Sequence, residues 1–150
     1  ANELNKINIP VVIRVIGPNK NSIPKEPFIE YLGKIDKSKS LEKFANELKS
    51  WHFGTLFSKA EGLGISNFEC MILGVPVLAN KIGGIPEAFL FNECGQLFDP
   101  NSRPVEIAKW IKKHISNYDN YLDSRKRLSN RWREFTWTNS MKKISEILRS

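Results

Sequence analysis

Apolar residues dominate VVIRVIG, residues 11–17, and the run stops at Gly17-Pro18. A short apolar run closed by Gly-Pro predicts a buried strand. FIEYLG (28–33), FGTLFS (53–58), VPVLAN (75–80) and the shorter GQLF (95–98) predict four more. Between them the apolar spacing becomes helical. Leu41, Phe44, Ala45 and Leu48 predict a helix capped by Ser40. Residues 66–74 predict a short helix ended by Gly74. Ile107, Ala108, Ile111 and Ile115 predict a helix opened by Asn101 or Ser102. Tyr118, Tyr121, Leu122, Arg125 and Leu128 predict another, and Met141, Ile144 and Leu148 a last one capped by Thr138. Strands alternating with helices predict the α/β class: a Rossmann-like parallel sheet with helices on both faces, in one domain spanning residues 1–150. The loop at 18–27, with Pro18, Pro24 and Pro27, is the clearly irregular stretch.

Open parallel sheets bind ligands beyond the carboxyl ends of their strands. Chemistry is therefore expected in the loops after residues 17, 33, 58 and 80. The loop after 58 is the richest. In SKAEGLGISNFECMILGVPVLANKIGGIPEAF, residues 58–89, Glu61 and Glu69 bracket Gly62 and Gly64. The glycines allow unusual backbone angles and bring backbone N–H groups near a ligand. The helix that follows offers its free N–H groups to the same space, where anions and phosphate bind. Glu69 is expected in the first turn of that helix, its side chain reaching back toward the pocket. A second explanation needs no ligand: Ser66-x-x-Glu69 is a capping box, and the glycines are turn residues.

Composition narrows the classes. No run of about 18 apolar residues predicts a membrane span, and the opening ANELNKINIP lacks the basic and apolar regions of a signal peptide. Cys70 and Cys94 have neither a CxxC neighbour nor a histidine cluster, which predicts reduced thiols and a cytoplasmic location. His52 and His114 stand in no Ser/His/Asp order and no metal spacing. Charge is uneven. Residues 1–108 balance 12 Lys/Arg against 12 Asp/Glu, whereas residues 109–150 hold 11 against 4. That excess makes an anionic membrane surface a candidate partner, against the plainer reading of a solvated helix face.

The order Glu61, Gly62-x-Gly64, Glu69, Met71, Gly74-x-Pro76-Val77, Gly83-Gly84 and Glu87 resembles the donor-binding half of retaining glycosyltransferases of the two-lobed GT-B architecture, family 4 (glycosyl transferases group 1). VVIRVIGP, YLGKID and FTWTNSMKKISEIL extend the likeness to nearly the whole chain. Departures are Cys70 in place of Ala, ILG in place of ACG, Ser66-Asn67 in place of a Pro and an apolar residue, and Trp51-His52 in place of Ala-Asp.

The resemblance implies a C-terminal nucleotide-sugar-binding lobe that catalyses, with a separate acceptor-binding lobe, metal-independent sugar transfer in polysaccharide or glycolipid synthesis. It implies Glu61 as the catalytic-site acid beside the donor sugar and Glu69 as the bidentate partner of the ribose. It implies further donor contacts at Gly62, Gly64, Ile65, Ser66, Gly17, Lys34 and Ile35. Lys34 and Ile35 would face the base. Neither a metal nor another cofactor is expected, since there is no Asp-x-Asp motif. The family's upstream Arg and Lys, and one central strand, have no counterpart in this sequence, and neither does the N-terminal acceptor lobe. The expected partner is a nucleotide-sugar and not a nucleic acid, in the cytoplasm or peripherally on a membrane. Two alternatives stay open: a lobe of a GT-B-like sugar-nucleotide epimerase, and a non-catalytic basic module that binds RNA or lipid.

Overall fold

VPVLAN is apolar at almost every position because its strand is covered on both faces. In the computed structural model, which describes residues 1–17 and 19–149, β4 (Val77–Asn80) has Val77, Leu78 and Ala79 all buried. Such a strand belongs in the middle of a parallel sheet. It lies between β3 (Gly54–Leu56) and β5 (Gly95–Phe98), parallel to both. A second parallel ladder joins β1 (Ile13–Ile16) and β2 (Ile29–Gly33). Apart from β5, the strands are shorter than the apolar runs that predicted them. The β1 ladder begins only at Ile13, opposite Ile29, and Val12 is already exposed. Pro18, expected to close that strand, lies outside the described residues.

The chain divides into two compact units. One comprises residues 1–47 and 101–118, the other residues 48–100 and 119–150. The first holds β1, β2, a short α1 (Asn2–Asn5), most of α2 (Lys37–Lys49) and α5 (Pro104–Ile115). Leu4, Phe44 and Ala108 are its buried apolar residues, and α1 packs on α5. The helix predicted behind Ser40 starts earlier than expected. The Asp36 carboxylate accepts from the Ser38 N–H at 3.0 Å and the Ser38 hydroxyl at 2.7 Å, opening a turn before Ser40. Those bonds hold the Asp36 carboxyl below its ordinary pKa. Ser40 itself breaks the helical path, with φ −144° and ψ 44°, and the apolar spacing begins behind it.

The second unit carries the larger core: Met71, Val75, Val77, Leu78, Ile85, Cys94, Leu128 and Trp132 are all buried. It holds the three-stranded sheet, α3 (Ile65–Ile72), α4 (Ile85–Ala88), most of α6 (Tyr118–Arg133) and α7 (Trp137–Arg149). The end of α3 is fixed by two backbone bonds, Gly74 N–H to Met71 and Val75 N–H to Cys70. The next carbonyls go to α6. Arg125 donates to Gly74 O and to Lys49 O, both at 2.8 Å, and Ser129 donates to Ile72 O at 3.0 Å. The Tyr121 hydroxyl donates to His52 O. Arg127 and Arg131 pair with Glu93 at 3.3 and 3.6 Å. Trp132 meets Phe68 edge-on, with ring centroids 5.2 Å apart. Within the basic run at 125–133, Arg125 is thus half-buried and tied into its own unit, whereas Arg127 and Arg131 stay exposed while paired with Glu93.

Two expected caps move. Helix α5 begins behind Arg103, because Pro104 suits the first helical position and needs no N–H acceptor. The Glu106 carboxylate accepts from the Arg103 N–H at 3.2 Å. Helix α7 is capped by Thr136 rather than Thr138: the Thr136 hydroxyl accepts from the Asn139 N–H at 3.2 Å.

Both cysteines are free and buried. Burial pushes the Cys70 thiol up to about 12, and the Cys94 thiol is raised for the same reason. A thiol reacts as its thiolate. Neither is expected to react with Ellman's reagent at mildly alkaline pH in the native chain. Both are expected to react once guanidinium unfolds it. Prompt labelling of the native chain would contradict the burial.

Candidate functional site

The site is built where β3 and β4 end. The Asn80 side-chain amide donates to Ser58 O at 3.1 Å and ties the two strand ends together. The chain then loops through residues 57–64 and enters α3 at Gly64. Gly64 is buried, with φ +70° and ψ 66°, and a Cβ there would meet the Asn67 amide at 2.8 Å and Leu56 at 3.0 Å. Only glycine satisfies both conditions.

That turn overturns the capping-box expectation. Gly64 starts the helix at Ile65, so Ser66 is the second helical residue and Glu69 lies in the second turn, not the first. No side chain caps this helix. The Asn67 N–H bonds to Gly64 O at 2.8 Å, but the N–H groups of Gly64, Ile65 and Ser66 have no partner among the described residues. Ile65 and Ser66 are exposed. Three donors at the positive end of a helix dipole are thus left for an outside acceptor.

Glu61 and Glu69 stand on either side of these donors in sequence, and both are half-buried. Neither is sealed in the core. The Glu61 carboxylate accepts from the Gly62 N–H at 3.1 Å. Its backbone is fixed from the other side. The Gly84 N–H donates to Gly62 O at 2.7 Å, and a Cβ on Gly84 would come within 2.6 Å of that oxygen. At Gly83, with φ +51°, a Cβ would overlap the Glu61 carbonyl oxygen. The Gly-Gly pair therefore lets one backbone lie directly on another, which positions Glu61 and Gly62.

Asn67 is a site-adjacent residue that the sequence reading left unassigned. It is 2% exposed, and its Nδ2 has no hydrogen-bond partner among the described residues. The signal was available: Asn67, Cys70 and Met71 share one helical face, and all three are buried. Lys59, in the loop before α3, and Lys81, just after β4, are both exposed. Glu87 is exposed; its N–H bonds to Gly84 O at 3.2 Å, and its carboxylate makes no hydrogen bond or ion pair among the described residues.

The remaining candidates belong to the first unit, at the carboxyl ends of its two strands. Gly17 follows β1, its N–H bonded to Gly33 O at 3.0 Å and its carbonyl accepting from the Tyr31 hydroxyl at 2.6 Å. Lys34, exposed, and Ile35, half-buried, follow β2. The histidines stand apart from these residues in role. The His114 ring stacks on Trp110 at 3.6 Å with its Nδ1 2.8 Å from Trp110 O, and His52 lies beside Tyr121. Among the described residues no three His, Cys, Asp or Glu side chains gather as metal ligands.

The sequence profile of the family "Glycosyl transferases group 1" matches residues 29–135. The chain belongs to that family. This group 1 chain is 30% identical over 108 residues to "Uncharacterized glycosyltransferase MJ1178" of Methanocaldococcus jannaschii, an alignment covering 72% of the chain and 28% of the relative. Its fold is similar to that of Anabaena Alr3699/HepE. The structure of HepE with UDP and glucose superposes with TM-score 0.61 at 22% identity, covering 83% of this chain and 32% of HepE. The UDP-glucose complex gives 0.59 at 21% identity, covering 83% and 33%. The group 1 chain thus spans about a third of the length of these proteins, and its Rossmann-like units match one lobe of a GT-B transferase. Among the described residues no helix is long and apolar enough to cross a membrane.

Proposed function

We propose that this chain is the donor-binding lobe of a retaining glycosyltransferase that moves a sugar from a nucleotide-sugar to an acceptor without a metal ion. The observation that carries this reading is the uncapped start of α3, with three unspent N–H groups between Glu61 and Glu69. An anionic, hydroxyl-rich ligand satisfies that arrangement. The N–H groups of Gly64, Ile65 and Ser66 receive phosphate or sugar oxygens. The Glu69 carboxylate, with two acceptor oxygens, holds the two adjacent ribose hydroxyls. Glu61 orients the donor sugar and opposes the positive charge that grows at its anomeric carbon as the bond to diphosphate breaks. The departing diphosphate is stabilised by the helix dipole and nearby cations. Donor contacts at Gly17, Lys34 and Ile35, in the first unit, rest on the family resemblance alone. HepE, of matching fold, is known in complex with UDP-glucose.

Acceptor binding is assigned to a second lobe, since the chain covers about a third of the proteins it resembles. Catalysis needs stabilisation that grows in the transition state across a closed cleft, so the chain alone is expected to be inactive. Transfer by the complete enzyme from labelled nucleotide-sugars, with and without chelator, tests the proposal. The expected product keeps the donor's anomeric configuration, and chelator leaves the rate unchanged. An inverted product, loss of activity with chelator, or release of an epimerised sugar-nucleotide would overturn it.

A further inference from the structure

Asn67 stands where an apolar side chain would serve the core better. Its Nδ2 is sealed from solvent and has no hydrogen-bond partner among the described residues. A buried amide nitrogen left unpaired carries a desolvation cost that leucine would not. Packing therefore does not explain the residue. The amide faces a definite place. A Cβ built on Gly64 would meet Asn67 Nδ2 at 2.8 Å and Cγ only at 3.5 Å, so the nitrogen end points toward Gly64, the residue that opens α3. The three unspent N–H groups, of Gly64, Ile65 and Ser66, begin there. Ser66 adds a hydroxyl that is exposed and makes no hydrogen bond among the described residues. Ser66 and Asn67 occupy the positions where the pattern they depart from has a proline, which lacks an N–H, and an apolar residue.

These additions share one electrical sense. The start of a helix carries roughly half a positive charge. Glu61 and Glu69, which flank it in sequence, set two carboxylates against that. A neutral sugar hydroxyl is indifferent to the balance, whereas a phosphate must overcome it. The Ser66 N–H and hydroxyl and the positive end of the Asn67 amide strengthen the field in the direction a phosphate needs. A buried dipole does so in a medium of low dielectric, where it counts for most. We propose that Ser66 and Asn67 make the start of α3 a phosphate seat. Ser66 donates to the donor's diphosphate through both its N–H and its hydroxyl. Asn67 is a positioning residue: it lies behind Gly64 and acts through it, without touching the ligand. The proposal rests on the donor-site reading above and narrows it, since the N–H groups then take phosphate oxygens rather than sugar oxygens.

Titration of the isotope-labelled chain with inorganic pyrophosphate at constant ionic strength, then with uridine, guanosine and adenosine diphosphates, tests it. The backbone amides of residues 64–66 and the Asn67 side-chain amide are expected to shift together and saturate. Asn67→Leu is expected to weaken pyrophosphate binding by about five- to tenfold and at the same time to raise the urea midpoint, because it removes the unpaired amide. A residue that only fills space would not move affinity and stability in opposite directions. Asn67→Asp has nearly the same shape and is expected to bind more weakly still. Ser66→Pro, in the first turn where proline is tolerated, is expected to lose about tenfold or more in affinity. Absence of saturable pyrophosphate binding, an Asn67 side chain that does not respond, unchanged affinity in Asn67→Leu, or joint loss of affinity and stability would overturn the proposal. Nucleoside diphosphates that bind no more tightly than pyrophosphate would keep the phosphate seat and remove the nucleotide-sugar reading. Nucleotide binding that Asn67→Leu and Ser66→Pro leave intact would keep that reading and remove the seat.

Discussion

Replacing Gly83 by alanine is expected to destabilise the chain by about 2–4 kcal/mol and to abolish donor binding. Two costs combine. The residue has φ +51°, a left-handed conformation that alanine adopts with strain. Its new Cβ would also overlap the Glu61 carbonyl oxygen. That oxygen belongs to backbone, so it cannot swing aside as a side chain would. Relief requires the turn at 83–84 to lift off residues 61–62, which breaks the bond from Gly84 N–H to Gly62 O. The Glu61 carboxylate then loses its setting. Urea unfolding should show a lower midpoint with an unchanged slope. Gly17→Ala is the informative contrast. Nothing lies within 4 Å of a Cβ at Gly17, and stability should change by less than about 0.5 kcal/mol. If donor atoms pass close to Gly17, affinity will nevertheless fall. Equal stability of the Gly83 and Gly17 variants would contradict the backbone contact described here.

In the complete enzyme, Glu61→Ala should lower kcat by about 10²–10³-fold with little change in donor KM. A group that opposes charge present only in the transition state contributes to turnover rather than to ground-state binding. Glu69→Ala should act differently. Removing both acceptor oxygens from a ribose costs charge-assisted hydrogen bonds that are present throughout the reaction. At about 1.5–3 kcal/mol, donor KM should rise by about 10–150-fold with a smaller effect on kcat. Steady-state kinetics over a range of donor concentrations separates the two. Identical changes from both substitutions, or trivial ones, would remove the division of roles between them.

The parts of the fold that were legible are those decided by local burial. VPVLAN announced β4 because a strand covered on both faces must be apolar throughout, and GQLF matched β5 residue for residue. The helices were legible from their stripes, but their starts were not. Ser66 and Thr138 each looked like caps, yet Gly64 and Thr136 start the helices earlier. A cap is set by where the chain turns, and here the left-handed turn at Gly64 starts the helix ahead of Ser66. At the site, the glutamate pair and its glycines were visible as a motif. What the motif could not disclose was why Gly83 and Gly84 belong to it. Their reason is a contact with a backbone some 20 residues away, which no local pattern encodes. Arg125 is similar: it looked like one more charge in a basic run, but its guanidinium ends two other segments. Asn67 was legible by face and overlooked by type, because polar residues are seldom placed in a core.

Titration of the isotope-labelled chain with UDP-glucose, with guanosine and adenosine diphosphate sugars as comparators, reads the site residue by residue. At least one of these donors should produce saturable amide shifts centred on residues 61–69 and 83–84, and Glu69→Ala should abolish them. A chain that saturates with none of them, or whose shifts gather on residues 125–149 and leave the start of α3 untouched, would contradict the assignment of that loop to a nucleotide-sugar.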